Sequence, residues 1–101
     1  MSTSNHPLCD SNSVEHPVKI FTGPRCGYCI MAKRLLLSRG ISYEEVETQG
    51  HPEVRSWLAQ VTHQYTIPQI FIHGNSIGGY TELKILDRAG QLVKLVGRDD
   101  P

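Results

Sequence analysis

Val18 to Arg39 reads VKIFTGPRCGYCIMAKRLLLSR, and the fold follows from how its two halves differ. Val18 to Thr22 is a short β-branched and aromatic run that stops at Gly23-Pro24, the pattern of a strand closed by a turn. From Gly27 to Arg39 the apolar residues Ile30, Met31, Leu35 and Leu36 recur at helical spacing. Lys33, Arg34 and Arg39 lie toward the far end and Gly40 is the stop. Between strand and helix stands Cys26-Gly27-Tyr28-Cys29. A strand, a turn, a C-x-x-C and a helix in one βα unit is the setting in which that spacing signals redox chemistry.

The flanking sequence extends the pattern. Ile41 to Thr48 (ISYEEVET) reads as a second strand. Pro52, a favoured first-turn residue, opens a second helix with Val54, Leu58 and Val61 on one face and Trp57 beside them. Ile67 to His73 (IPQIFIH) has the composition of a buried strand, although Pro68 can donate no ladder hydrogen bond. Gly74-Asn75 predicts a hairpin turn into a very short strand around Ser76 and Ile77, closed by Gly78-Gly79. Thr81 is then expected to cap a third helix, whose apolar stripe runs from Leu83, Ile85 and Leu86 past Gly90 to Leu92, Leu95 and Val96. The order β-α-β-α-β-β-α requires crossovers between the first three strands, hence an α/β fold with a mixed sheet covered on both faces.

Bulk composition narrows the classes. A chain of 101 residues with 39% hydrophobic content suits one modest core. Residues 1–17 are polar, with too few apolar side chains to repay ordering, and are expected to form a flexible tail before a domain over 18–97 and a short tail over 98–101. Ten basic residues balance ten acidic ones, so no global field favours nucleic acid or an anionic membrane. No apolar run approaches a membrane span and Met1 to Pro17 has no signal-peptide core, so the expected address is cytoplasmic. Three cysteines, an odd count with two of them three positions apart, do not read as a secreted disulfide framework.

Disulfide exchange needs a thiolate to attack and a second thiol to release the mixed disulfide. A sulfur at position 26 would lie at a helix N-terminus, where free amides and the dipole favour the thiolate, and Arg25 adds a positive charge. Such surroundings lower a thiol pKa from about 8.5 into the range of roughly 3.5 to 7.5. Cys29, one turn inside, is expected to be shielded, so Cys26 attacks and Cys29 resolves. The plain alternatives are a structural zinc half-site and two small core residues. Zinc wants four ligands, whereas Cys9 falls in the tail and His51, His63 and His73 lack ligand-pair spacing.

Together, Cys26-Gly27-Tyr28-Cys29, Thr66-Ile67-Pro68-Gln69 and Gly78-Gly79-Tyr80-Thr81 resemble the glutaredoxin family over Val18 to about Val96. The resemblance implies a thioredoxin fold with a four-stranded mixed sheet, and glutathione in a groove beside the reactive cysteine. By that likeness Pro68 is a cis-proline facing Cys26, and X-Pro is the one peptide for which cis is cheap. It also implies main-chain pairing of Ile67 with the ligand, whatever its side chain. Gly79 allows close backbone approach, while the Tyr80 and Thr81 amides receive a carboxylate and Tyr28 flanks the ligand. Many glutaredoxins carry Lys or Arg three residues before the first cysteine, where this chain has Gly23, leaving Arg25 or Arg55 for the glycyl carboxylate. Thr81 stands where the family usually has an acid, with Glu82 as the substitute.

The implied function is glutathione-dependent reduction of glutathionylated or disulfide-containing proteins by a monomer. Gly27 and Arg55 also resemble cluster-binding members, in which two subunits and two glutathiones hold a [2Fe–2S] cluster through the first cysteine. A reductase served by thioredoxin reductase is a third reading, disfavoured by the Gly78-Gly79-Tyr80-Thr81 segment.

Overall fold

A computed structural model describes residues 17–97; the expected tails, apart from Pro17, and Cys9 lie outside the described residues. In chain order the elements are β1 (Val18–Thr22), α1 (Gly27–Ser38), β2 (Glu44–Glu47), α2 (Pro52–Thr62), β3 (Gln69–Ile72), β4 (Asn75–Gly78), α3 (Tyr80–Arg88) and α4 (Leu92–Val96). They build one four-stranded sheet in the order β2-β1-β3-β4. β1 runs parallel to β2 and antiparallel to β3, and β4 is antiparallel to β3.

Strand alternation sorts the core into two layers, because successive side chains point to opposite faces. Val18 and Ile20 of β1, with Ile70 and Ile72 of β3, pack against Ala32, Leu36, Leu83 and Leu92. Phe21 and Phe71, one register position away, turn to the other face and meet Val46, Val54 and Leu58. Hence α1, α3 and α4 cover one face and α2 the other, and all five residues of β1 are buried, as a central strand covered on both faces requires.

Several boundaries differ from expectation for local reasons. The second strand keeps only Glu44–Glu47, because the Ile41 amide instead donates to the Leu36 carbonyl and finishes α1. The third begins at Gln69, past Pro68, which lacks an N–H. The hairpin turns on His73-Gly74, both with positive φ, and not on Gly74-Asn75; two left-handed central residues match the twist of the flanking strands. The expected last helix is two helices, broken at Gly90 with φ +71°, and its N-cap is Gly79, not Thr81.

The buried stripe of α1 is Cys29, Ala32 and Leu36, and Ile30 and Met31, which share the helical spacing of Leu35 and Leu36, point outward. Ile85 likewise leaves the apolar stripe expected of the last helix and is 60% exposed.

The C-terminal end of α1 is joined to α3 by a two-pronged ion pair, Arg39 Nε and Nη2 donating to the Asp87 carboxylate oxygens at 2.7 and 2.9 Å. The hydrogen bond from Arg39 holds the Asp87 carboxyl below its ordinary value. A depressed carboxyl contributes stability above the ordinary carboxylate range and loses it as pH falls through the folded-state value. Denaturant midpoints of the wild type and Asp87→Asn should therefore differ at neutral pH and converge in acid. A difference independent of pH would assign the loss to packing.

Candidate active site

Cys26 is the N-cap of α1, with extended backbone (φ −112°, ψ 99°). The Cys29 amide donates to its Sγ at 3.1 Å, so one of the orphan amides of the first helical turn is aimed at sulfur. Cys26 and Cys29 are joined as a disulfide with Cα atoms 5.2 Å apart. Cys29 is only 2% exposed while Cys26 is half-buried, an asymmetry that leaves one sulfur open to a partner. Arg25 precedes them, exposed and with φ +53°. It shapes the turn that delivers Cys26 to the helix.

Across from the cysteines, the Ile67 carbonyl oxygen lies 3.8 Å from Cys26 Sγ, and the Ile67–Pro68 peptide is cis. The loop leading to this proline is tied from inside. Buried Gln69 donates through Nε2 to the carbonyls of Gln64 and Thr66, each at 3.0 Å, while Arg55 Nη2 donates to the Tyr65 carbonyl at 2.8 Å.

The Ile67 side chain lies against Gly23, where a Cβ would be 2.6 Å from Ile67 Cδ1. A side chain at position 23 would displace the end of the Ile67 side chain.

The N-terminus of α3 forms the other wall. Gly78 has φ +105°, and a Cβ there would meet the Glu82 side chain at 2.8 Å; one at Gly79 would lie 3.1 Å from the Pro68 carbonyl oxygen. These glycines let α3 start directly against the proline loop. Glu82 Oε1 accepts from the Gly79 amide at 2.8 Å, which caps α3, and Tyr80 stacks on Tyr28 with centroids 6.0 Å apart.

Between the walls lies a cleft of about 280 Å³, and Tyr28, Ile67, Pro68, Gly79, Tyr80 and Thr81 all line it. Arg25 and Arg55 are not among the lining residues. Gln64, Thr66 and Glu82 are; the sequence singles out Thr66 only as part of a family motif and Glu82 as a substitute ligand contact, and gives Gln64 no part in the site. The missed signal was Gln69, a polar residue inside an apolar strand, whose buried amide must find carbonyl partners and finds them in residues 64–66. Among the described residues no group of three or more His, Cys, Asp or Glu is placed to hold a metal, and no helix is long and apolar enough to cross a membrane.

A cysteine pair at a helix N-terminus, opposite a cis-proline on a β2-β1-β3-β4 sheet, defines a thiol–disulfide oxidoreductase of the thioredoxin fold. The glutaredoxin family model matches residues 18–77, and the chain belongs to the glutaredoxin family. It is 42% identical over 80 residues to a glutaredoxin of Pseudomonas aeruginosa, covering 79% of this chain and 95% of that one. Identity to glutaredoxin 3 of Escherichia coli K12 is 39% over 79 residues, covering 78% and 95% of the two chains. Among solved structures, a buckwheat glutaredoxin–glutathione complex superposes with a TM-score of 0.77 at 32% identity, covering 81% of this chain and 77% of that one.

Proposed function

We propose that the protein reduces glutathione mixed disulfides and protein disulfides with glutathione as co-substrate. The observation that carries this reading is Cys26 Sγ at the N-cap of α1, receiving the Cys29 amide beside a cleft walled by the proline loop and the start of α3. The cleft offers the features a γ-glutamyl-cysteinyl-glycine would use. The Ile67 main chain can pair with the ligand backbone as an added strand would, and the first-turn amides of Tyr80 and Thr81 suit a carboxylate. Tyr28 closes the side. The buckwheat relative, solved as a glutathione complex, supports the same choice of ligand.

In the reduced enzyme the Cys26 thiolate attacks the glutathione sulfur of a glutathionylated protein. The protein thiolate leaves, takes up a proton, and Cys26 keeps the glutathionyl group as a mixed disulfide. A second glutathione thiolate then attacks that sulfur, giving oxidised glutathione and restoring the Cys26 thiolate. With a protein disulfide, Cys26 first forms a mixed disulfide with the substrate. Cys29 displaces the substrate's second thiol, leaving the Cys26–Cys29 disulfide for two glutathiones to reduce. Oxidised glutathione formed per substrate reduced, in the purified full chain, tests the reading: turnover with glutathione supports it, and turnover only with another dithiol reductant opposes it.

Arg55 braces residue 65 through its main chain and so holds the loop that presents Ile67. Arg55→Ala should raise the apparent KM for glutathionylated substrates. A charge-assisted bond is worth roughly 1.5 to 3 kcal/mol before solvent weakens it, so the rise should be several-fold to tens-fold with kcat little changed. An unchanged KM would leave Arg55 outside ligand binding.

A further inference from the structure

The exposed face of α3 carries a second hollow that the glutathione reading leaves unused. Residues three and four apart share a helix face, so Tyr80, Lys84 and Arg88 form one row and Thr81 and Ile85 another beside it. With Tyr28 from α1 these residues enclose about 230 Å³. The hollow shares Tyr28, Tyr80 and Thr81 with the proposed glutathione cleft, so an occupant would adjoin whatever fills that cleft.

Its chemistry is specific. Tyr28 and Ile85 are 64% and 60% exposed, an apolar pair held open by helices whose buried stripes face elsewhere. Lys84 Nζ sits 5.8 Å from the Tyr80 ring centroid. Among the described residues, neither Lys84 nor Arg88 is within ion-pair distance of a carboxylate. The nearby acids are engaged, Glu82 with the Gly79 amide and Asp87 with Arg39. Two cations without an ion-pair partner among the described residues, beside two exposed side chains of largely apolar character, call for a partner with one carboxylate next to one apolar group.

We propose that this hollow docks the acidic, apolar peptide segment that flanks the reactive cysteine of a protein substrate, so that the enzyme favours disulfides in acidic surroundings. This inference rests on the proposed function and narrows its substrate class. The apolar residue would cover Tyr28 and Ile85, and the carboxylate would lie toward Lys84 and Arg88. Both cations are at the surface, so each pair should be modest and salt-sensitive.

The test uses the full chain with two glutathionylated peptides, one placing Leu and Glu beside the cysteine and the other Leu and Lys. The glutathione mixed disulfide of mercaptoethanol, too small to reach the hollow, is the reference substrate. At low salt kcat/KM should favour the acidic peptide about three- to tenfold, and the preference should shrink at high salt. In Lys84→Glu/Arg88→Glu it should invert. Equal rates for the two peptides in the wild type, a preference unchanged in the double variant, or a change of the variant's oligomeric state in place of its selectivity would overturn the proposal. Turnover of the reference substrate separates the two levels. If the wild type fails to reduce it with glutathione, the proposed function falls; if it succeeds while the peptides are treated alike, only the docking inference falls.

Discussion

Replacing Cys26 with serine should abolish every thiol-transfer activity, whereas Cys29→Ser should keep reduction of glutathione mixed disulfides and lose much of the reduction of protein disulfides. Cys26 is the half-buried residue of the pair and so the one that an incoming disulfide can reach, whereas Cys29 is 2% exposed. A serine hydroxyl keeps the hydrogen bond from the amide at 29 but supplies no thiolate, so attack on sulfur has no nucleophile. The monothiol route never calls on Cys29, and only a substrate disulfide that must be opened in two steps needs it. Steady-state rates for both substrate classes in both variants check this. Equal loss of mixed-disulfide reduction in the two variants would overturn the division of roles.

The largest structural effect is expected from Leu83→Ala. Leu83 is fully buried and packs in the layer of Val18, Ile20, Leu36 and Ile70, two residues beyond Thr81 on the helix that forms one wall of the cleft. Truncating a buried leucine costs about 2–5 kcal/mol from lost transfer energy and the cavity left behind. That is a large fraction of the roughly 5–15 kcal/mol that keeps a domain folded. Denaturant midpoints should fall accordingly. Because α3 is seated on the sheet through this residue, KM for glutathione substrates should rise under conditions where the variant is still folded. A loss below about 1 kcal/mol would mean that the layer relaxes to fill the space.

Much of this arrangement was legible in the residues. Cys26 at the end of a strand and the start of a helix is set by the spacing of VKIFT, Gly23-Pro24 and C-x-x-C. The proline facing the cysteines came through the Thr66-Ile67-Pro68-Gln69 motif. Which apolar residues are buried was less legible. Ile30, Met31 and Ile85 fit a helical period, yet a helix with apolar residues on adjoining faces buries only the stripe its sheet selects, here Cys29, Ala32 and Leu36 on α1. The break at Gly90 was hidden because the apolar spacing continues through it. The approach of Ile67 to Gly23 joins residues far apart in sequence and leaves no local trace. Nor does the pinning of residues 64–66 by Gln69 follow from periodicity, which scores a glutamine in a strand only as a blemish.

The direct test of the account is to trap its first intermediate. The Cys29→Ser protein, reduced and then given a glutathionylated substrate without free glutathione, should be isolated with a single glutathionyl group on Cys26. Peptide mapping by mass spectrometry locates it, and adding glutathione should release it as oxidised glutathione at a rate sufficient for turnover. A glutathionyl group found on Cys9 with Cys26 unmodified, or an adduct on Cys26 that free glutathione does not discharge, would contradict the proposed chemistry.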